Sequence, residues 1–294
     1  MGILGGEVSS PANAVAVLER AWAARARRRR RDAIVGATLF AVVLAASLLV
    51  SEVSPARLVE GVPAMLAYIR GTLPVLHART VGTDLAEWYW GLGSWLVLLG
   101  DTLLMAFMGT VLGALAGAAL SFPASRTLVR SRAAYVIARR GLEIARTVPE
   151  LVYALIFVYA FGLGPLPGVL AIAIHSAGAL GKLFAEANEN ADLGPLEGLH
   201  AAGATWTLGV RYAIVPQVLP AFLSYTLLRF EINVRSSAVL GFVGAGGIGQ
   251  ELYTVIRQFV YVDISAIVLL LIATVVVIDL ACERLRHRVI GRPA

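Results

Sequence analysis

Charge is scarce in this 294-residue chain: Asp, Glu, Lys and Arg make up 15% of it against 58% hydrophobic residues, and the mean hydropathy is +0.77. Typical globular chains are about a quarter charged, so the two soluble domains that the length would allow are excluded. Lysine is almost absent, the 25 basic residues being 24 Arg and Lys182. The lone cysteine, Cys282, rules out an intrachain disulfide and a cysteine metal cluster, and it is expected to pack as a small apolar residue. Four histidines, His77, His175, His200 and His287, are too scattered for a recognisable metal site. No GxSxG nucleophile elbow occurs, and the single Gly-Lys pair, Gly181 and Lys182, precedes Leu183 rather than the Ser or Thr of a phosphate-binding loop. No catalytic residue, metal site or cofactor bound by this chain is expected.

Long apolar runs take the place of those features. A bilayer core about 30 Å thick needs roughly 20 mostly apolar residues in a helix. Ala33 to Val50 and Leu103 to Leu120 qualify, the second extending towards Trp95 past an Asp101 expected to be buried. Leu151 to Gly181 is free of charge but interrupted by GLGPLPG at Gly162 to Gly168, which predicts two helices and a tight turn. The third span is then expected to start near Ala145 and the fourth to reach about Ala185. Tyr212 to Leu228 begins a fifth helix that continues into RFEINVRSS, and Ile264 to Ile278 is the core of a sixth. The expected fold is an all-α bundle of six transmembrane helices. Its segments are a basic stretch 1–32, a first helix 33–50, a connection 51–92, a main transmembrane domain 93–282 with a long loop 186–211, and a basic tail 283–294.

Nineteen of the 25 basic residues fall on one side of this topology, before span one, between spans two and three, around the loop 186–211 and after span six. The positive-inside rule makes that side cytoplasmic, both termini included. The run RARRRRR ending at Arg31 is read as a topology anchor that also attracts anionic lipid, not as a nucleic-acid patch or a cleaved signal.

GAGGIG at Gly244 to Gly249 fits the dinucleotide fingerprint G-x-G-x-x-G, and Asp263 follows about 20 residues on. A membrane oxidoreductase would be one reading. An apolar helix of spanning length follows, however, where a Rossmann unit needs a second strand. Gly244, Gly246, Gly247 and Gly249 are therefore read as a re-entrant or interfacial turn on the outer, periplasmic side. A passive channel, resting on the bundle alone, is a further alternative.

The loop between spans four and five reads EANENADLGPLEGLHAAGATWTLGVRYAIVPQVLP, its stretch Leu196 to Gly209 suiting a short surface helix. Here the chain resembles the permease subunits of bacterial ABC importers, whose loop carries Glu-Ala-Ala, a Gly six residues after the Glu and a Pro nineteen after it; Glu197, Gly203 and Pro216 match, while Gly198, Leu199, Ala213 and Val215 depart. Blocks Arg146 to Val158, Pro195 to Pro220 and Arg229 to Tyr253 look like phosphonate importer permeases; methionine and osmolyte permeases share the glycine segment in looser form. The resemblance implies a type I importer fold and a coupling helix in which Glu197, Ala201, Ala202 and Gly203 contact a separate ATPase that carries ATP and Mg. It also implies a periplasmic binding protein and a second permease copy, either the same chain or a paralogue. Small residues permit close approach, and Glu197 near the helix start complements the helix dipole.

The fifth helix holds the costliest residues. Arg229, Asn233 and Ser236 share a face, and Glu231 and Arg235 stand one turn apart. Arg229, Asn233, Arg235, Ser236 and Ser237 are expected to line the path of an anion. The alternative is a structural Glu231 to Arg235 pair with Arg229 bonded to Glu150 or Asp101.

Overall fold

A computed structural model describes residues 11–51, 54–129 and 131–290. The chain divides between Ile69 and Arg70 into two units. In the first, α1 (Pro11–Val50) is one unbroken helix of 40 residues, about 60 Å at 1.5 Å per residue, so the expected boundary at residues 32 and 33 is a change of side chains within a continuous helix. Five consecutive arginines, Arg27 to Arg31, step about 100° each and ring the helix just before its apolar run. The connection expected over 51–92 is itself largely helical, with α2 (Pro55–Thr72) and α3 (Val81–Trp88).

The second unit is built on α4 (Leu92–Ser121) and α7 (Pro165–Glu189). Gly109, Gly113 and Gly117 repeat every fourth residue on α4, a small-residue stripe that lets two helix backbones touch. A Cβ on Gly117 would stand 2.9 Å from the Gly181 amide nitrogen, and one on Gly113 2.7 Å from Ser176 Cβ. Farther along, Phe184 of α7 stacks on Phe222 with ring centres 3.9 Å apart.

The third span departs from expectation. Pro149 has no amide proton to donate, and Val148 before it is held extended at φ −75°, ψ 126°. The helix therefore breaks into α5 (Arg132–Thr147) and α6 (Glu150–Phe161), which meet at 86°. α5 is amphipathic and packs Leu142 inward. The 12 residues of α6 cover about 18 Å, less than the bilayer core. Five helices among the described residues are long and apolar enough to span, and the bent pair supplies the sixth crossing.

After α7 come α8 (Gly194–Ala201) and α9 (Trp206–Gly209), and then the long α10 (Val215–Leu240). A π-helical turn, Val210–Ile214, joins α9 to α10 ahead of Pro216, whose missing N–H disturbs the regular bonding one turn back. α11 (Gly247–Arg257) and α12 (Tyr261–Ile290) complete the unit. Cys282 is buried, 4% exposed, as expected of a packing residue. At the end where α4 starts, Trp90 Nε1 donates to Asp263 at 3.2 Å and Trp88 Nε1 to Ser265 Oγ at 3.1 Å, tryptophans anchored as at a membrane interface.

Candidate functional site

The glycine segment is a turn between helices, with no strand among the described residues. Gly244, Gly246 and Gly247 have φ of 91°, 82° and 72°, a region closed to most L-residues. Gly249 has ordinary φ and is required by space, since its Cβ would run into the Ala238 carbonyl and lie 3.2 Å from Gly241 Cα. Gly164, in the turn between α6 and α7, donates its N–H to the Gly244 carbonyl at 3.0 Å, and the Ile248 N–H is taken up by Thr102 Oγ1 at 2.9 Å. Thr102 lies ten residues, about 15 Å, into α4, so the segment enters the bundle and its irregular backbone is satisfied by protein.

On α10 the expected residues separate into two groups. Arg229 Nη2 donates to Glu150 Oε1 at 2.6 Å and its Nε to Ser176 Oγ at 3.1 Å. Asn233, fully buried, donates to the same Ser176 at 2.9 Å and to Thr110 at 2.8 Å. One chain of polar contacts thus joins α4, α6, α7 and α10. His175 extends it, with Nε2 3.7 Å from Glu150 Oε1 and Nδ1 3.0 Å from the Val148 carbonyl. Ser237 is buried and bonds back to Val234 O at 2.9 Å, so it helps pack the helix and does not face a path in this conformation.

The second group faces α12. The alternative Glu231 to Arg235 side-chain pair does not form: Glu231 pairs with Arg286 at 3.1 Å, while the Arg235 guanidinium bonds to the Glu231 carbonyl and approaches Asp279 at 3.8 Å. Asp279 and Arg286 follow the apolar run Ile264 to Ile278, so Glu231 and Arg235 sit level with its polar end, not mid-span. Of the two partners weighed for Arg229, Glu150 is the one it meets; Asp101 is exposed, contrary to the burial expected of it. Ser236 opens with Arg235 onto a recess of about 400 Å³ that is also lined by Pro149, Glu150, Leu151 and His175.

At the basic end, α8 is held by its buried Leu196, which packs with Leu128 and Ala213. Its frame is stapled by Gln217, which accepts from the Asp192 N–H at 3.0 Å and donates to its carbonyl at 3.1 Å. Gly203 has φ 85° and ends the helix, with the Ala204 N–H reaching back to Leu199 O at 3.0 Å. Glu197, Ala201, Ala202 and Gly203 are all exposed, whereas Pro216 lies in the first turn of α10 and shapes its entry. Ser176, Thr110 and His175 were not singled out from the sequence for this network, since nothing along a helix says which neighbour its polar residue meets.

A family model described as "Binding-protein-dependent transport system inner membrane component" matches residues 109–292. The chain is 38% identical over 243 residues to the "Phosphite transport system permease protein PtxC" of Stutzerimonas stutzeri, covering 83% of this chain and 84% of that one. It is 42% identical to the "Phosphate-import permease protein PhnE" of Mycolicibacterium smegmatis, over 64% of this chain and 36% of that longer one. In fold it is similar to the MetNI methionine ABC transporter in an inward-facing conformation, at 22% identity and a TM-score of 0.58, covering 66% of this chain and 95% of that chain.

Proposed function

This chain belongs to the family of binding-protein-dependent transport system inner membrane components, and on that footing we propose that it forms the membrane path through which an ATP-driven importer admits a phosphorus oxyanion. Phosphite, phosphate and alkylphosphonate are the members of that class. The observation that carries the substrate class is Arg229, a guanidinium 12% exposed where α6, α7 and α10 meet, in a chain whose relatives are named for phosphite and phosphate. Guanidinium is suited to oxyanions because its fork donates two parallel hydrogen bonds.

The basic end faces the cytoplasm, placing both termini and α8 there. A separate ATPase, which holds ATP and Mg, docks on Glu197, Ala201, Ala202 and Gly203. The glycine segment faces the periplasm, where a binding protein delivers the ligand. One chain offers one coupling helix, and an ATPase pair needs two, so a second copy completes the pore. Bringing a dianion inward against an interior-negative potential of 100 mV costs about 4 to 5 kcal/mol before any gradient, which is why ATP is needed. ATPase closure moves α8, and rigid rocking of the two halves exposes the path to each side in turn. Arg229, Asn233, Arg235 and Ser236 line or support that path.

Proteoliposomes containing this chain, its ATPase and its binding protein test the reading. Radiolabelled phosphite or phosphate should accumulate only with ATP inside the compartment that holds the ATPase. Accumulation without ATP, or of methionine alone, would refute it.

A further inference from the structure

We infer that Glu150 is a resident anion, whose carboxylate occupies the seat in which Arg229 and His175 hold the transported oxyanion, and that the two exchange during the cycle. The inference rests on the phosphorus-oxyanion reading above and deepens it.

Two features that favour negative charge converge on this carboxylate, and a histidine ring stands beside it. Arg229 Nη2 donates to Oε1 at 2.6 Å, and His175 Nε2 lies 3.7 Å from the same oxygen. Glu150 is also the first residue of α6, where unbonded backbone N–H groups concentrate positive potential. The side chains of Arg229, Glu150 and His175 are 12%, 13% and 18% exposed, so water screens them little. His175 Nδ1 donates to the Val148 carbonyl at 3.0 Å, so Nε2 is the nitrogen turned to the anion, and it attracts that anion only as the protonated imidazolium. The guanidinium is fixed from behind by Ser176, itself fixed by Asn233. With Nε committed to Ser176, Nη2 donates to one carboxylate oxygen, a contact that an oxygen of a phosphorus oxyanion can equally accept.

The seat can be reached. Glu150, His175, Arg235 and Ser236 are the polar residues that border the recess of about 400 Å³, within the range of small-molecule sites, and the rest of its wall is apolar. Glu150 stands directly after the 86° bend, carried by a helix junction and not by the middle of a helix. Replacing one oxyanion by another leaves Arg229 paired with an anion at every stage. An empty seat would leave a buried guanidinium unpaired, which the bundle tolerates poorly.

The test uses the full chain assembled with its ATPase in nanodiscs, without nucleotide, and radiolabelled inorganic phosphite as the probe. Glu150→Gln keeps the shape and removes the competing charge; it should bind phosphite about tenfold more tightly than the parent. In the complete importer the same variant should show slower uptake at saturating substrate, because nothing displaces the bound anion. Glu150→Gln with Arg229→Gln should bind no more tightly than the parent. Glu150→Asp, which withdraws the carboxylate by one methylene, should bind more tightly by a smaller factor, and it serves if the Gln variant folds poorly. Unchanged or weaker binding by a monodisperse Glu150→Gln or Glu150→Asp complex, in an importer whose parent takes up phosphite, overturns the exchange alone. A parent importer that takes up no phosphite, phosphate or methylphosphonate overturns the substrate reading, and the exchange with it.

Discussion

The amide of Gly164 donates to the carbonyl of Gly244 at 3.0 Å, tying the turn between α6 and α7 to the re-entrant segment 80 residues later. Both turns are glycine-rich for conformational reasons, Gly164 at φ 141° and Gly244 at φ 91°, and the bond between them satisfies backbone that lipid could not.

That junction should fail first where conformation and space are both required. At Gly247 φ is 72° and a Cβ would press on the Thr102 hydroxyl that caps the Ile248 amide. Gly247→Ala is expected to lose about 1 to 2 kcal/mol from backbone strain alone, with more from the lost cap. Thermal unfolding of the purified protein measures it, and a melting temperature equal to the parent's would refute the assignment.

At α8, proposed above as the ATPase docking element, stability and docking should separate. Glu197 is exposed, so Glu197→Lys should change stability by less than about 0.5 kcal/mol yet abolish co-purification of the ATPase. Gly203 has open space around its Cβ position and φ 85°, so Gly203→Asn, which tolerates that conformation, should outperform Gly203→Ala. ATPase recovered at parental levels with Glu197→Lys would remove α8 as the docking element.

Arg235 and Arg229 should differ in kind. The Arg235 side chain is 54% exposed and 3.8 Å from Asp279, an exposed pair contributing about 0 to 1 kcal/mol, so Arg235→Gln should fold normally; loss of uptake would then mark a role in the path. Arg229→Gln strands Glu150 beside an apolar wall and should cost about 3 to 5 kcal/mol, with Glu150→Gln added in the same chain recovering part of it. A double-mutant cycle in chemical denaturation gives the coupling, and strict additivity would contradict the pairing.

Asp84 offers a pH test away from the spans. Its carboxylate accepts from the His77 backbone N–H at 2.7 Å, which with the His77 ring and the Thr80 hydroxyl holds its pKa below the usual 3.8. A depressed folded pKa means the tie is fully present above pH 3.8 and is lost as pH falls through the lower folded value. Protection of the His77 amide from hydrogen exchange should therefore persist to below pH 3.8 and vanish in Asp84→Ala at all pH values. Loss of protection well above pH 3.8 in the parent would refute it.

Much of the fold was legible in one dimension. Apolar runs give spans because every backbone group in lipid must bond within its own helix. The expected third span ran straight through Val148 and Pro149, and the outcome there, an amphipathic helix and a short crossing at 86°, depended on Leu142 finding α7. The two glycine turns were each readable and their union was not, since a hydrogen bond between Gly164 and Gly244 depends on how whole helices pack.

By itself, the sequence determined a basic-ended, multi-span helical chain with a coupling loop and charges in its fifth helix, because hydropathy, proline and arginine asymmetry act locally along the chain. Only the tertiary structure decided that Arg229 answers Glu150 and not Asp101, and that Arg235 answers Asp279 and not the Glu231 side chain. The physical reason is that an ion pair across helices depends on the rotation and depth of each helix, and the glycine stripe of α4 against α7 sets how closely and at what level those helices meet.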